Sequence, residues 1–465
     1  MKKVTFHTIG CRLNQSETAV LVDRFQRLGY EQVKFGEPTD LLVLNTCSVT
    51  EGAEVDCRRA VRRTLRQSPQ AFVAVTGCYA QTGVQALQAI PGVDLVLGNQ
   101  FKMNLPDYVR PEALTGKSAS PAVVHSGTID RDDFEQEGVG EYSTTRANLK
   151  IQDGCNFMCS FCLIPFARGR ERSRQIDDAI REAEQLVARG HKEVVLTGVN
   201  VGQFASGSSG IIDLLQRLEL IQGLARIRIS SIEPTTIPEA LLEYMASSSK
   251  LCRFLHVPLQ SGDNGILQAM NRRYTVKDYS DWVHHAAQKI PDVCIGTDLM
   301  VGFPGESEEQ FANTRAVVVD LPLAYFHVFS YSARPGTAAT RLENTVASKT
   351  IKSRSKNLSE LSREKRAEFY HRFVDQRVSV LFESAEGPGW WSGLTDNFIR
   401  VRVPSTTVSA NEIHAVHLTG TIGEAALGHI VRDQNHIISK DVIPMVHNKG
   451  LASVSVPRKS IQVGQ

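Results

Sequence analysis

The sequence predicts an α/β protein in three parts: an N-terminal parallel-sheet α/β domain, an open (βα)6 partial barrel, and a small C-terminal antiparallel β-barrel of OB-like size. Three observations predict it. Apolar strand-like runs alternate with amphipathic helices through the first 110 residues and again over 145–368, the rhythm of parallel βαβ units. From about residue 369 the texture changes to short alternating strands, as in a small barrel. Cysteines recur where the predicted strands end, at Cys11, Cys47 and Cys78.

Composition narrows the class. At 465 residues the chain is too long for one ordinary core, so several domains are expected. Hydrophobic content of 42% and charged content of 22% fit a soluble protein, and a net charge of +2 leaves any polyanion binding to local clusters. The opening "MKKVTFHTIGC" enters a strand pattern directly, with no apolar leader and no small-residue cleavage pattern. No apolar run reaches about 18 residues, so no membrane association is expected and the expected location is cytoplasmic. Nine cysteines do not make a disulfide-dense secreted scaffold; clustered in a reducing compartment they point to metal or catalysis.

Along residues 1–110, "KKVTFHTIG", "DLLVLNTCSVT" and "AFVAVTGCYAQ" read as strands, and "SETAVLVDRFQRLGY" as an amphipathic helix ending at Gly29. Ligands of parallel α/β units sit beyond the carboxyl ends of the strands, so the three cysteines are expected to converge at one edge. Residues 111–144, rich in Gly, Ser, Pro and acids, read as a linker with one crossing strand, "AVVHSG". Over 145–368 six strands are expected: "RANLKIQ", "EVVLTG", "ARIRISS", "RFLHVPL", "CIGTDLMVG" and "YFHVFSY". Six is short of the eight of a closed barrel, which leaves a lateral opening for a large substrate. "LSELSREKRAEFYHRFVDQ" reads as a helix into the β domain of 369–435, and 436–465 as an aperiodic tail.

The stretch "DGCNFMCSFCLIPFARGRERSR" holds Cys155, Cys159 and Cys162 in a C-x3-C-x2-C array directly after the first barrel strand. Thiolates hold iron-sulfur clusters and structural zinc, both usually with four ligands. Three ligands on a 4Fe-4S cluster leave one iron open to a chelating cofactor such as S-adenosylmethionine. Structural zinc with His7, His191 or His256 as a distant fourth ligand is the competing reading.

"CNFMCSFC" resembles the signature of the radical S-adenosylmethionine (SAM) enzymes. The longer stretch, with "TIGCRLNQSE", "VLNTCSVT" and "VTGCYAQ", resembles the methylthiotransferase subfamily, and "LTDNFIRVRVP" resembles its RNA-binding TRAM domain. The resemblance implies a radical SAM core whose catalytic cluster is held by Cys155, Cys159 and Cys162. It implies an auxiliary 4Fe-4S cluster on Cys11, Cys47 and Cys78, associated with the inserted sulfur. One SAM methylates that sulfur, and a second is cleaved to the radical that activates the target carbon. An external electron donor and a sulfur source are then required. "GCRLNQSE", "VNVGQF", "RISSIEP" and "YSARPGT" look most like the subclass acting on N6-threonylcarbamoyladenosine at position 37 of the tRNA anticodon loop. Isopentenyladenosine 37 and a ribosomal-protein aspartate are the family's other targets, and a non-enzymatic zinc and RNA-binding module is the reading outside it.

The predicted strand ends offer Gly198, Asn200, Ser230, Glu233, Gln260 and Asp298 as contacts for SAM, each of which reads equally as a turn or cap residue. Three basic groups are candidate RNA contacts: Arg59, Arg62, Arg63 and Arg66 at helical spacing, Arg168 and Arg170 after the cysteine loop, and Arg377, Arg400 and Arg402 in the β domain with Phe382 and Phe398 nearby. A solvated helix paired to Glu51, Glu54 or Asp56, and an ordinary β core, are the plain alternatives. Cys57, Cys252 and Cys294 match neither triad and read as structural.

Overall fold

The computed structural model describes residues 1–48, 51–114, 117, 120–129, 134, 140 and 144–431. The expected tail lies outside them, as do 130–133, 135–139 and 141–143 of the expected linker.

Six strands open the chain: β1 (Lys3–Thr8), β2 (Glu31–Gln32), β3 (Leu41–Thr46), β4 (Phe72–Gly77), β5 (Leu95–Leu97) and β6 (Ala122–Val124). They form one sheet in the order β2-β1-β3-β4-β5-β6, parallel throughout. β3 reads LLVLNT and is buried at every position, as a central parallel strand covered on both faces must be. Alternation along it decides the layers. Leu41 and Val43 pack with Val20, Leu21 and Phe25 of helix α1 (Arg12–Arg27), whereas Leu42 and Leu44 pack with Ala60 and Val61 of α2 (Glu51–Gln67). Three short helices, α3 (Cys78–Thr82), α4 (Val84–Gln88) and α5 (Leu105–Tyr108), complete the unit. β6 is the strand expected within "AVVHSG"; it pairs with β5 from Leu95↔Ala122 to Leu97↔Val124, so part of the expected linker belongs to this sheet.

The next segment contains β7 (Arg146–Lys150), the paired short strands β8 (Gln152–Asp153) and β9 (Arg172–Ser173), then β10 (Glu193–Thr197). A small hairpin, β11 (Ala205–Ser206) and β12 (Ser209–Gly210), precedes β13 (Arg226–Ile229), β14 (Phe254–His256), β15 (Cys294–Val301) and β16 (Tyr325–Ser330). Between them run α6 (Ile164–Arg168), α7 (Ile176–Ala188), α8 (Ile211–Glu219), α9 (Glu239–Ser247), α10 (Asn264–Ala269), α11 (Val276–Lys289) and α12 (Glu308–Asp320). The six expected strands pair in parallel as β7-β10-β13 and β14-β15-β16. The two triplets meet through Cys252 N–H to Ile227 O at 2.8 Å and Ile232 N–H to His256 O at 3.1 Å. One apolar core runs from Leu149 on β7 to Phe326 on β16, so they make a single curved wall, open between β7 and β16.

Both free edges of that wall are covered, as edges need to be. α1 lies against β7, with Ser16 Oγ 3.4 Å from Asn148 O. Helix α13 (Ser348–His371) lies against β16, and Ser362 Oγ accepts from Phe326 N–H at 2.9 Å and donates to Phe326 O at 2.6 Å. α13 starts ten residues earlier than its apolar spacing indicated. Its polar first half is anchored instead by Arg354, which donates to Glu306 at 2.7 Å and Glu308 at 3.0 Å.

The last five strands, β17 (Arg377–Ala385), β18 (Trp390–Thr395), β19 (Arg400–Pro404), β20 (Ile413–Ile422) and β21 (Ala425–Ile430), close a barrel in the order β17-β18-β19-β21-β20. All pairs are antiparallel except β19 with β21. Its core is continuous with Cys252, Phe254, Cys294 and Tyr325 at the start of β14–β16. Arg226 donates to Leu394 O at 2.8 Å and Ser379 O at 2.7 Å, tying the two barrels together. Cys252 and Cys294 are thus packing residues of this seam, and Cys57 lies on the buried face of α2.

Candidate functional site

The three loop cysteines sit on a closed excursion of the chain. β8 and β9 pair antiparallel, Gln152↔Ser173 and Asp153↔Arg172, and pinch off residues 154–171. Gly154 stands at φ +71, where a Cβ would lie 1.9 Å from Arg170 O, so only glycine lets the ends cross. Ser160 fixes the loop tip: its N–H donates to Met270 O at 3.0 Å, its Oγ to Ala269 O at 2.8 Å, and its carbonyl accepts from Ala339 N–H at 2.8 Å.

Each sulfur has one donor aimed at it. Phe157 N–H lies 3.3 Å from Cys155 Sγ, Ile164 N–H 3.4 Å from Cys162 Sγ, and Arg272 Nη1 3.3 Å from Cys159 Sγ. Such N–H···S contacts suit thiolate ligands of a cluster. Unliganded, the thiols are held protonated: burial pushes Cys155 up to about 11 and Cys162 up to about 12.

The second triad assembles as its strand ends predict. Cys11 caps α1, Cys47 follows β3 and Cys78 opens α3. Gly10 is at φ +116, and a Cβ there would meet Cys47 Cβ at 2.7 Å and Sγ at 3.2 Å. Burial raises the Cys78 thiol, which also feels Arg168 and Cys11.

Among the described residues, His256, Asp298 and His327 form a set of three donors lying within 4.8 Å of one another. The candidate fourth zinc ligands are engaged elsewhere: His7 stacks on Phe35, His191 Nδ1 lies 3.2 Å from Thr145 O, and His256 Nε2 lies 3.0 Å from Asp298.

A cavity of about 850 Å3 opens beside sequence neighbours of cysteines from both triads. Its wall includes Ser48, Tyr79 and Leu163, the residues immediately after Cys47, Cys78 and Cys162, and the β16 exit from Val328 to Pro335.

The six residues expected to contact SAM divide. Asn200 is buried, its Oδ1 accepting from Glu233 N–H at 3.3 Å and Thr236 Oγ1 at 2.9 Å, while its Nδ2 has no partner. Ser230 Oγ is likewise buried without one. Glu233 pairs with Arg272, and burial raises its carboxyl. Glu233 stands beside the cysteine loop through Arg272, a residue that no motif marks, and Asn200 holds the Glu233 backbone. Gly198 is occupied structurally: a Cβ would lie 2.8 Å from Gln152 Oε1, which accepts Val199 and Asn200 N–H. Gln260, at φ +69, bridges to β15 through its backbone, and Asp298 pairs with His256.

The arginines also divide. Arg168 is not a surface contact. It is 1% exposed and binds Glu17 Oε1 at 2.9 Å, Asp153 Oδ1 at 3.0 Å and Asn14 Oδ1 at 2.6 Å, so its charge is consumed inside the protein. Arg172 and Arg174 are also buried against carboxylates; Arg170 is exposed. On α2, Arg59, Arg62, Arg63 and Arg66 are all exposed; Arg59 pairs with Asp56 at 3.3 Å and Arg63 lies over Phe35. The side chains of Glu51 and Glu54 lie outside those described. Arg377 is exposed, Arg400 half-buried, and Arg402 pairs with Glu386 at 2.8 Å over the Trp390 ring. Phe382 is fully buried and Phe398 packs on Phe254, so neither offers a face for base stacking.

Two family models match the chain: the Radical SAM superfamily over residues 149–318, and Uncharacterized protein family UPF0004 over 3–98. A relative from Bacillus subtilis, named threonylcarbamoyladenosine tRNA methylthiotransferase MtaB, is 36% identical over 86% of this chain and 90% of its own. One from Clostridium tetani, named tRNA-2-methylthio-N(6)-dimethylallyladenosine synthase, is 31% identical over 90% of this chain and 95% of its own. Among solved structures, the radical S-adenosylmethionine methyltransferase TsrM of Kitasatospora setae superposes with a TM-score of 0.51 at 15% identity, covering 84% of this chain and 80% of that one, a likeness of fold. With relatives of this identity spanning nearly its whole length, and the Radical SAM model matching its middle, the chain belongs to the radical S-adenosylmethionine methylthiotransferase family.

Proposed function

We propose that this enzyme methylthiolates C2 of N6-threonylcarbamoyladenosine at position 37 of tRNA. The observation that carries the reading is the cavity of about 850 Å3 walled by the residues next to Cys47, Cys78 and Cys162, a space large enough to admit a nucleoside. In this reading Cys155, Cys159 and Cys162 hold the cluster that binds SAM, and Cys11, Cys47 and Cys78 hold the auxiliary cluster. Bound there, SAM and the two 4Fe-4S clusters supply the methyl group, the electron path and the hydrogen-abstracting radical, with an external electron donor and a sulfur source feeding them.

The protein's own part is placement. Asn200, Ser230 and Glu233 present polar groups to SAM beside the loop, and Arg272 neutralises both Glu233 and the Cys159 thiolate. Anticodon-loop bases are unpaired, so extruding one into the cavity costs little. Exposed Arg62 and Arg66 on α2, with Arg377 and Arg400 on the C-terminal barrel, meet the phosphate backbone.

The test is mass spectrometry of nucleosides from tRNA of cells with and without the gene. Loss of 2-methylthio-N6-threonylcarbamoyladenosine is the expected result. Loss of the isopentenyl counterpart, or unchanged tRNA with an unmodified ribosomal protein, would overturn it.

A further inference from the structure

A second cavity, of about 680 Å3, is lined by Cys11 itself. Gly10, Cys11 and Arg12 line it from the first domain, Arg146 and Asn148 from β7, and Arg400 from β19. Its charge is unbalanced. Arg146 is committed to Glu383 through Nε at 2.7 Å, but its Nη1 is buried with no partner. The Arg12 side chain makes no hydrogen bond or ion pair with a described residue. The charges that act on it are Arg146, Arg228, Glu193 and Tyr325, and Glu193 is already bound to Arg228 at 2.7 Å. A half-buried guanidinium held among others, with the carboxylates of Glu193 and Glu383 each paired to another arginine, is a site for an anion from outside the chain.

We infer that Arg12 binds the carboxylate of the threonylcarbamoyl group and is the residue that selects for it. The inference rests on the proposed function and deepens it. In the adenine ring, C2 and the carbon bearing N6 both flank N1, so the substituent's carboxylate stays within one nucleobase-length of the carbon that receives sulfur. Arg12 follows Cys11 directly, and consecutive Cα atoms are ~3.8 Å apart. A cation reading the substituent therefore belongs at this place, next to a ligand of the sulfur-delivering cluster. An isopentenyl group would bring no charge and leave Arg12 unmatched.

A backbone phosphate of the same tRNA is the other anion this chemistry accepts, and the test separates them. Anticodon stem-loop RNA carrying threonylcarbamoyladenosine 37 is compared with the same RNA carrying its neutral methyl ester, using the reconstituted full chain and the variants Arg12→Gln and Arg12→Lys at matched iron content. The parent enzyme is expected to prefer the acid by about 10- to 100-fold in KM, the value of a charged hydrogen-bonded contact. Arg12→Gln is expected to lose that preference by raising KM for the acid alone, and Arg12→Lys to keep most of it. If Arg12→Gln weakens acid and ester equally, with a shallower salt dependence, the anion is a phosphate and the inference fails. If Arg12→Gln prefers the acid as the parent does, Arg12 is not the selector, although the proposed function stands. If the parent acts on neither RNA, the proposed function fails first and takes this inference with it.

Discussion

Glu17 of α1 and Arg168 of α6 form an ion pair at 2.9 Å across the joint between the first domain and the barrel, with side chains 3% and 1% exposed. Lys102 at 2.5 Å and Lys150 at 2.9 Å bind the same carboxylate. One buried anion thus anchors three cations from both domains, and the pair sits between Cys78 and the start of the cysteine loop. Removing one partner of such a pair strands the others without water. Glu17→Gln is expected to cost about 3–5 kcal/mol, read as a fall in the denaturation midpoint at an unchanged slope.

The same joint sets an acid limit. Burial alone would raise the Glu17 carboxyl, but Arg168, Lys102 and Lys150 together outweigh it and hold the group well below its ordinary value. Asp153 is lowered likewise by Lys150 and Arg168 against its own burial. A folded pKa beneath the unfolded one gives stabilisation that is complete above the unfolded value of about 4.3 and drains away as pH falls through the folded one. Stability measured from pH 7 to pH 3 is therefore expected to be flat in this contribution down to about pH 5 and to fall below it. In Glu17→Gln the fall should be shallower.

The two triads carry different duties in the proposed mechanism, and separate variants should show it. Cys159→Ala is expected to abolish reductive cleavage of SAM, and Cys47→Ala to leave cleavage in place while stopping methylthiolation. Each should retain about four irons of eight after anaerobic reconstitution. A Cys47→Ala enzyme that still thiolates would remove the first triad from the chemistry.

What the sequence made legible was periodic or local. All six barrel strands, the parallel order of the first sheet and the strand-end placement of Cys11, Cys47 and Cys78 follow from alternation and spacing along a few residues each. The misreadings lie where meaning depends on a distant partner. Arg168 stands in the run "ARGRERSR" beside exposed Arg170, and nothing local separates them; only Glu17, 151 positions away, makes one interior and the other not. Phe382 and Phe398 likewise read as base-stacking rings until the fold turns them toward Phe254 and the seam. Arg272 was invisible because its partners, Cys159 and Glu233, are 113 and 39 positions distant.

That hidden arginine should tune the cluster. A cation and an N–H donor on a ligating sulfur stabilise the extra negative charge of the reduced state. Arg272→Gln removes the charge and leaves buried Glu233 without its counter-ion. The midpoint potential of the SAM-binding cluster is expected to move to more negative values, seen by potentiometric titration with electron paramagnetic resonance, while that of the auxiliary cluster stays. A shift of both, or of neither, would mean that Arg272 acts only on folding.

The surface arginines make a last prediction, in salt. Each phosphate neutralised releases counterions, so the logarithm of affinity falls with the logarithm of salt, by roughly 0.7 per contact on single-stranded RNA. Arg62 and Arg66 project from α2, and Arg377 from the C-terminal barrel, all exposed; Arg402 is already paired with Glu386. Replacing Arg62, Arg66 or Arg377 with Gln is therefore expected to lower tRNA affinity several-fold at low salt and to reduce the salt slope by about 0.7 to 1 each. Arg402→Gln should change the slope less, because its charge is already spent within the protein. Titrations of tRNA at several salt concentrations distinguish the two groups. Equal slopes for all four variants would mean that the pairing seen at Arg402 gives way when RNA binds.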